Sequence, residues 1–212
     1  METTPIITYL GQSGFKLEYN NSTLIIDPSN KASGDYDGAL IYCTHKHNDH
    51  IGGVDIFLER NPSATLVCNE QTAAKFSKWG DRVKVVNDGE TYANGPWSFR
   101  FTLLKHGLFR GIQNLAVVVS VSDFSFAHCG DAAEFSNFPP EPVDVLAIPI
   151  GGGPTAGPGT TLKMIVKLQE PRPTIVPIHW LFRKPSGFCK KLHQQIPNIK
   201  CIVPVTGERL TL

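Results

Sequence analysis

Four side chains able to bind a metal ion, His45, His47, Asp49 and His50, fall within six consecutive positions. They follow directly on an apolar run at 39–43, where a buried strand would end. Three imidazoles and a carboxylate so close together have no place in an ordinary hydrophobic core, because every buried polar atom needs a partner. Neutral imidazole and carboxylate oxygen are ligand types that suit zinc, iron or manganese. Gly52-Gly53 comes next, and Val54, Phe57 and Leu58 mark one face of a short helix. The cluster is therefore expected on a strand-to-helix turn, at the carboxyl end of a strand, where layered α/β folds build their sites. The plain alternative is a polar turn that happens to be rich in histidine.

Later segments repeat the pattern. Phe99, Phe101 and Leu103 alternate with polar residues as in a half-buried strand, which runs out at His106. An apolar strand at 124–127 runs into His128-Cys129-Gly130-Asp131, and another at 174–178 ends in His179. Each candidate ligand thus stands just after a strand. The opening reads as a meander of strands at 6–10, 15–19 and 23–26, ending at Asp27. Asp27 is expected either to cap a turn or to orient a metal-bound histidine. A helix is expected over 69–79 behind an Asn69 N-cap, one opening at Thr160 or Thr161, and one over 186–195. Closing strands are expected at 201–205 and 209–211. Strands first, then strands alternating with helices, predict an α/β fold with helices on the outer faces of sheets. At 212 residues, 41% of them apolar, one domain spanning 1–212 is expected.

Composition removes several function classes. With Lys+Arg 20 against Asp+Glu 19, the net charge of +1 gives no general attraction to nucleic acid or anionic membrane. No apolar run approaches the ~20 residues that span a bilayer. The start, Met1-Glu2-Thr3-Thr4-Pro5, lacks the basic and apolar regions of a signal peptide. The five cysteines, Cys43, Cys68, Cys129, Cys189 and Cys201, form no C-x-x-C pair, and they are expected as reduced, mainly buried thiols of a cytoplasmic protein.

The run His45, His47, Asp49, His50 resembles the H-x-H-x-D-H motif of the metallo-β-lactamase superfamily, and His106, Asp131 and His179 follow in that superfamily's order. Further stretches are similar to one branch, the small hydrolases related to L-ascorbate-6-phosphate lactonase. These are Tyr9-Leu10-Gly11-Gln12-Ser13-Gly14-Phe15, Ile25-Ile26-Asp27-Pro28, Ile148-Pro149-Ile150-Gly151-Gly152, Pro177-Ile178-His179 and Gly207-Glu208. The resemblance implies a four-layer αββα sandwich. It implies two divalent transition-metal ions, zinc foremost with manganese or iron as alternatives. One would be held by His45, His47 and His106, the other by Asp49, His50 and His179, with Asp131 bridging. The implied reaction is attack by a metal-bridging hydroxide on an ester, lactone or phosphoester. Asp49 would also orient the hydroxide, and His128 is the candidate proton donor to the leaving group; its alternative is a strand-end histidine bonded to backbone. Departures exist: Ala132 stands where the superfamily often has threonine after the bridging aspartate, and Ala156 where the branch often has methionine. His47 in place of glutamate does not favour the oxygen-reducing diiron relatives.

The partner implied is a small-molecule substrate, anionic or neutral, with neither nucleic acid nor membrane expected; monomer and homo-oligomer both stay open. The glycine-rich loop 151–159 could present backbone N–H groups to an anion, or be a plain connection. Arg110, Arg183 and Lys184 could meet a phosphate or carboxylate, or be solvated surface charges. His193 is given no role. The rivals are an RNA-processing nuclease, a thioesterase of the same superfamily, and a metal-containing binding protein without turnover.

Overall fold

The chain opens as the expected antiparallel meander, β1 (Ile6–Gly11), β2 (Gly14–Tyr19) and β3 (Ser22–Ile26). The computed structural model describes residues 4–29, 40–107, 111–139, 141–180 and 183–212. Most of the loop before the cluster, Ala39 and Arg110 lie outside the described residues. β4 (Leu40–Cys43) lies parallel to β3 and leads into α1 (Asn48–Ile51) and α2 (Val54–Arg60). β5 (Thr65–Cys68), α3 (Glu70–Ala73) and β6 (Val83–Val85) follow, and both strands extend the sheet in parallel. The first sheet therefore runs β1-β2-β3-β4-β5-β6.

The second sheet begins with the hairpin of β7 (Thr91–Asn94) and β8 (Trp97–Lys105), turned at the Asn94-Gly95 signal. β9 (Gln113–Val121) and β10 (Phe124–His128) continue antiparallel. β11 (Val145–Pro149) pairs parallel with β10, α4 (Pro158–Val166) crosses over, and β12 (Thr174–Ile178) closes that edge in parallel. α5 (Pro185–Gln195) follows.

Side-chain alternation builds the layers. Leu24 and Ile26 of β3 enter the core between the sheets, while Ile25 faces the other way, toward Phe57 and Leu58 of α2. From the second sheet, Phe101, Val117 and Phe126 fill the inter-sheet core, and Leu146 and Ile148 pack outward with Leu162 and Ile165 of α4 and Leu192 of α5. The result is the expected αββα sandwich. Burying each such Leu, Ile or Phe contributes about 1.5–3 kcal/mol.

Three expectations need correction. Asn69 does cap a helix, its side chain accepting from the Thr72 N–H, but the α-helix ends at Ala73. A 3-10 stretch over Ala74–Arg82 replaces the rest, with non-helical backbone at Phe76 and Gly80. Tertiary anchors override the helical period here: Trp79 Nε1 donates to Asp55 Oδ1 at 2.8 Å, and the Arg82 guanidinium donates to the Leu58 and Ala64 carbonyls. The closing segments form isolated bridges, Ile175 with Cys201 and Thr8 with Arg209, rather than strands. Finally, Cys189 and Cys201 are joined in a disulfide, 12 positions apart, while Cys43, Cys68 and Cys129 are free and buried. α5 and the bridge at Cys201 bring the two Cα atoms to 5.6 Å, within bonding reach. That bond removes the thiol argument for a reducing compartment. No helix among the described residues is long and apolar enough to cross a membrane.

Candidate metal centre

β4 delivers the cluster. His45 is fully buried beyond its end, His47 stands at the N-cap of α1, and Asp49 and His50 lie within that helix's single turn. His106 follows β8, Asp131 lies three residues past β10, and His179 follows β12. An isolated bridge between His106 and Ala132 holds two of these ends together. The seven side chains converge in two sets, His45, His47, His106 and Asp131, and Asp49, His50 and His179, with the ligand atoms of each set within 4.8 Å of one another. Asp131 reaches into both. Its Oδ2 lies 3.7 Å from His45 Nε2, 3.7 Å from His106 Nε2 and 3.3 Å from His179 Nε2, and its Oδ1 lies 3.1 Å from His50 Nε2.

A buried frame orients these ligands. Asp27 accepts from the Thr44 N–H and Oγ1, each at 2.7 Å, and lies 2.7 Å from His50 Nδ1. It is thus the orienting group of the two roles open to it. A carboxylate only accepts, so His50 Nδ1 carries a proton. Thr44 Oγ1 has spent its own proton on Asp27, so His45 Nδ1, 3.0 Å away, donates to it. Both imidazoles therefore turn an Nε2 toward Asp131. Asn114 clamps the next turn, accepting from the Asp131 N–H at 2.9 Å and donating to the Cys129 carbonyl at 3.0 Å. Gly130 sits there with φ +55°, and a Cβ would lie 2.2 Å from Asn114 Oδ1, so only glycine fits. Neither Asn114 nor Gln12, whose Nε2 donates to Asp49 Oδ2 at 3.0 Å, was given a role from sequence. Isolated amides in a turn and a strand carry no spacing signal.

Charge in the site follows from burial and neighbours. Burial, reinforced by His50, pushes the His45 imidazole well below its usual pKa. His47 is lowered by burial first and by His106 next. Burial acts to raise Asp131, but His50, His106 and His45 outweigh it and hold the carboxyl well below the usual range. Asp49 is likewise lowered, the hydrogen bond with His179 and the His50 charge overcoming burial. Burial acts to lower His50, yet Asp131 and Asp27 carry it well upward.

The residues fit a cation. His50 Nε2 and Asp131 Oδ1 are buried, stand 3.1 Å apart, and neither makes a hydrogen bond among the described residues. With Nδ1 protonated, a neutral His50 points a lone pair at a carboxylate oxygen. A proton or a metal ion relieves that opposition.

Other candidates fall outside the ligand set. His128 is fully buried; its Nε2 donates to the Ser13 carbonyl at 2.7 Å and its Nδ1 accepts from the Gly130 N–H at 3.0 Å. Both nitrogens are occupied by backbone, so the expected proton donor is placed as a structural histidine, and burial lowers its pKa. His128→Gln is expected to cost roughly 1–3 kcal/mol of stability while leaving the alkaline limb of the pH–rate profile in place; disappearance of that limb would restore the acid role. The glycine-rich loop turns its amides inward: the Gly152, Thr155 and Ala156 N–H groups donate to Ala156, Gly152 and Ala132 carbonyls. It braces two ligands instead, with Pro154 accepting from the Gly107 N–H at 2.8 Å beside His106. Arg183 and Lys184 are exposed at the start of α5, and His193 bonds the Ile199 carbonyl.

Comparison with known proteins agrees with this fold. A family model described as a β-lactamase superfamily domain matches residues 6–179. A UPF0173 metal-dependent hydrolase of Lysinibacillus sphaericus is 28% identical over 195 residues, covering 82% of this chain and 84% of that protein. Another, from Symbiobacterium thermophilum, is 28% identical over 227 aligned residues, covering 97% of this chain and 99% of the relative. Among solved structures, Igni18, a metallo hydrolase of the archaeon Ignicoccus hospitalis, matches with a TM-score of 0.84 at 23% identity, 98% of each chain being covered. At that identity the likeness to Igni18 is one of fold.

Proposed function

The chain belongs to the β-lactamase superfamily, and from that premise we propose that it is a dinuclear metal-dependent hydrolase of a small ester, lactone or phosphoester. The observation that carries this reading is Asp131, a buried carboxylate with one oxygen toward His50 and the other toward His45, His106 and His179. His45, His47 and His106 would hold one ion, Asp49, His50 and His179 the other, and Asp131 both. Zinc suits these nitrogen and oxygen ligands best, with manganese and iron next. Two divalent ions held there would polarise the electrophile and lower the pKa of a shared water toward neutrality.

The chain's own groups prepare that chemistry. Asp27 and Thr44 fix the His50 and His45 tautomers so that both offer Nε2 lone pairs. Asp49, partly exposed, is held by Gln12 and approached by His179 at 3.2 Å, which leaves its other oxygen able to orient an attacking water. A recess of about 620 Å³ opens beside His106, lined also by Gln71, Leu104, Lys105, Gln113 and Asn137. That volume suits a small molecule. The one cation among its described lining residues, Lys105, is paired with Glu134 at 2.7 Å, and the net charge is only +1, so nucleic acid is the weaker candidate.

The test loads metal-free protein with zinc, manganese or iron, counts ions per chain, and assays phosphodiester, lactone and thioester substrates. Two ions with turnover of a small ester, lactone or phosphoester support the proposal. Protein that cannot be loaded refutes the site. Thioester preference, or RNA preference with a steep salt slope, selects a rival enzyme, and retention of an intact small molecule without turnover selects the binding protein.

A further inference from the structure

Asp49 is the least confined of the second ligand set. Its side chain is 43% exposed, against 0% for His50 and 4% for His179. Packing locks the two histidines, but a carboxylate that open needs another restraint to stay aimed at an ion. Gln12 supplies one. It lies between β1 and β2, where its Nε2 donates to Asp49 Oδ2 at 3.0 Å. Its backbone carbonyl accepts from the His179 N–H at 3.1 Å and from the Tyr9 hydroxyl at 2.9 Å. One residue thus touches two of the three ligands in that set, and among the described residues its hydrogen bonds reach none of the other set.

The backbone carries a second sign. Gln12 has φ +56°, a left-handed conformation that a non-glycine residue adopts at a cost of about 1–2 kcal/mol. Asp27 and His179 share it, with φ of +47° and +46°, so three of the five described non-glycine residues with positive φ stand at this centre. Such backbone persists where surrounding contacts over-determine it. At Gln12 those contacts are the His179 amide, the Tyr9 hydroxyl and the Asp49 carboxylate.

We infer that Gln12 is a positioning residue that sets the affinity of the Asp49–His50–His179 set for its ion, independently of the His45–His47–His106 set. The inference rests on the two-ion reading above. Gln12→Met keeps side-chain length and removes the amide, donor and acceptor alike; Gln12→Ala removes the side chain; Gln12→Gly also frees the backbone and serves if either of the others fails to fold. In competition titrations of metal-free protein with zinc against a chromophoric chelator, wild type should bind two ions. The variants should hold the first within about twofold and the second roughly 10–100-fold more weakly. A merely structural role would weaken both ions alike or lower the melting temperature of the metal-free protein without changing their ratio, and either result overturns the inference. So does an unchanged second ion in the variants of a two-ion wild type. A wild type that binds one ion overturns the two-ion reading and this inference with it.

Discussion

Asp131→Ala is expected to weaken both metal ions together, each by more than the roughly 100-fold that follows loss of a supporting group, and to abolish hydrolysis. The carboxylate is shared: Oδ1 lies 3.1 Å from His50, and Oδ2 lies 3.3–3.7 Å from His179, His45 and His106. Asp131 is a carboxylate that reaches both sets at these distances, so its loss removes the negative charge between them. The backbone should survive the change. The Asp131 N–H stays bonded to Asn114, and Asn114 stays bonded to Cys129. In the metal-free protein Asp131 helps to hold His50 protonated, so the change removes one of its two carboxylate partners and leaves Asp27 as the other. The metal-free variant should therefore melt below metal-free wild type, and it should in addition lose the stabilisation that bound ions add. Ion counting after dialysis, beside thermal melts with and without zinc, reads both effects. Loss of one ion with full retention of the other would show that Asp131 serves a single set.

Much of this centre is legible in the sequence because its ligands obey one rule. The strands 39–43, 99–103, 124–127 and 174–178 are apolar enough to be recognised, and each stops within a few residues of a His or Asp. Parallel packing of β3–β4–β5 and β10–β11–β12, with β8 running in the direction of β10 through their shared antiparallel partner β9, then places those carboxyl ends at one rim. The failures share a cause as well. His128 satisfies the same rule and looked like a candidate acid, yet its ring ends on the Ser13 carbonyl, 115 positions away. Only the fold brings those two atoms together. Gln12 and Asn114 are amides whose importance lies wholly in long-range partners. The helix expected over 69–79 has the right period, but Arg82 and Trp79 find partners across the chain that a regular helix would forgo. Cys189 and Cys201 carry no motif, and their pairing depends on where α5 meets the β12 edge.

Asp27 allows support of the fold and support of the ion to be separated. It is fully buried and serves three donors: the Thr44 N–H, the Thr44 hydroxyl and His50 Nδ1. Asp27→Ala strands all three and should cost about 3–5 kcal/mol, the range for removing one partner of a buried charged pair. At roughly 2–4 °C per kcal/mol for a chain of this size, the melting temperature should fall by about 6–20 °C. Asp27→Asn is milder on the fold, because asparagine tolerates the φ of +47° and its carbonyl oxygen can still accept from Thr44. Its amide nitrogen, however, can only donate. Turned toward His50, it requires Nδ1 to accept, which moves the ring proton to Nε2, the atom facing Asp131. A protonated Nε2 cannot bind a cation. The asparagine variant should therefore keep more stability than the alanine variant yet lose the second ion by at least the roughly 10–100-fold expected of a supporting group, with the first ion less affected. Denaturant melts of metal-free protein and zinc titration measure the two losses separately. An asparagine variant that binds both ions as tightly as wild type would show that His50 does not depend on Asp27 for its tautomer.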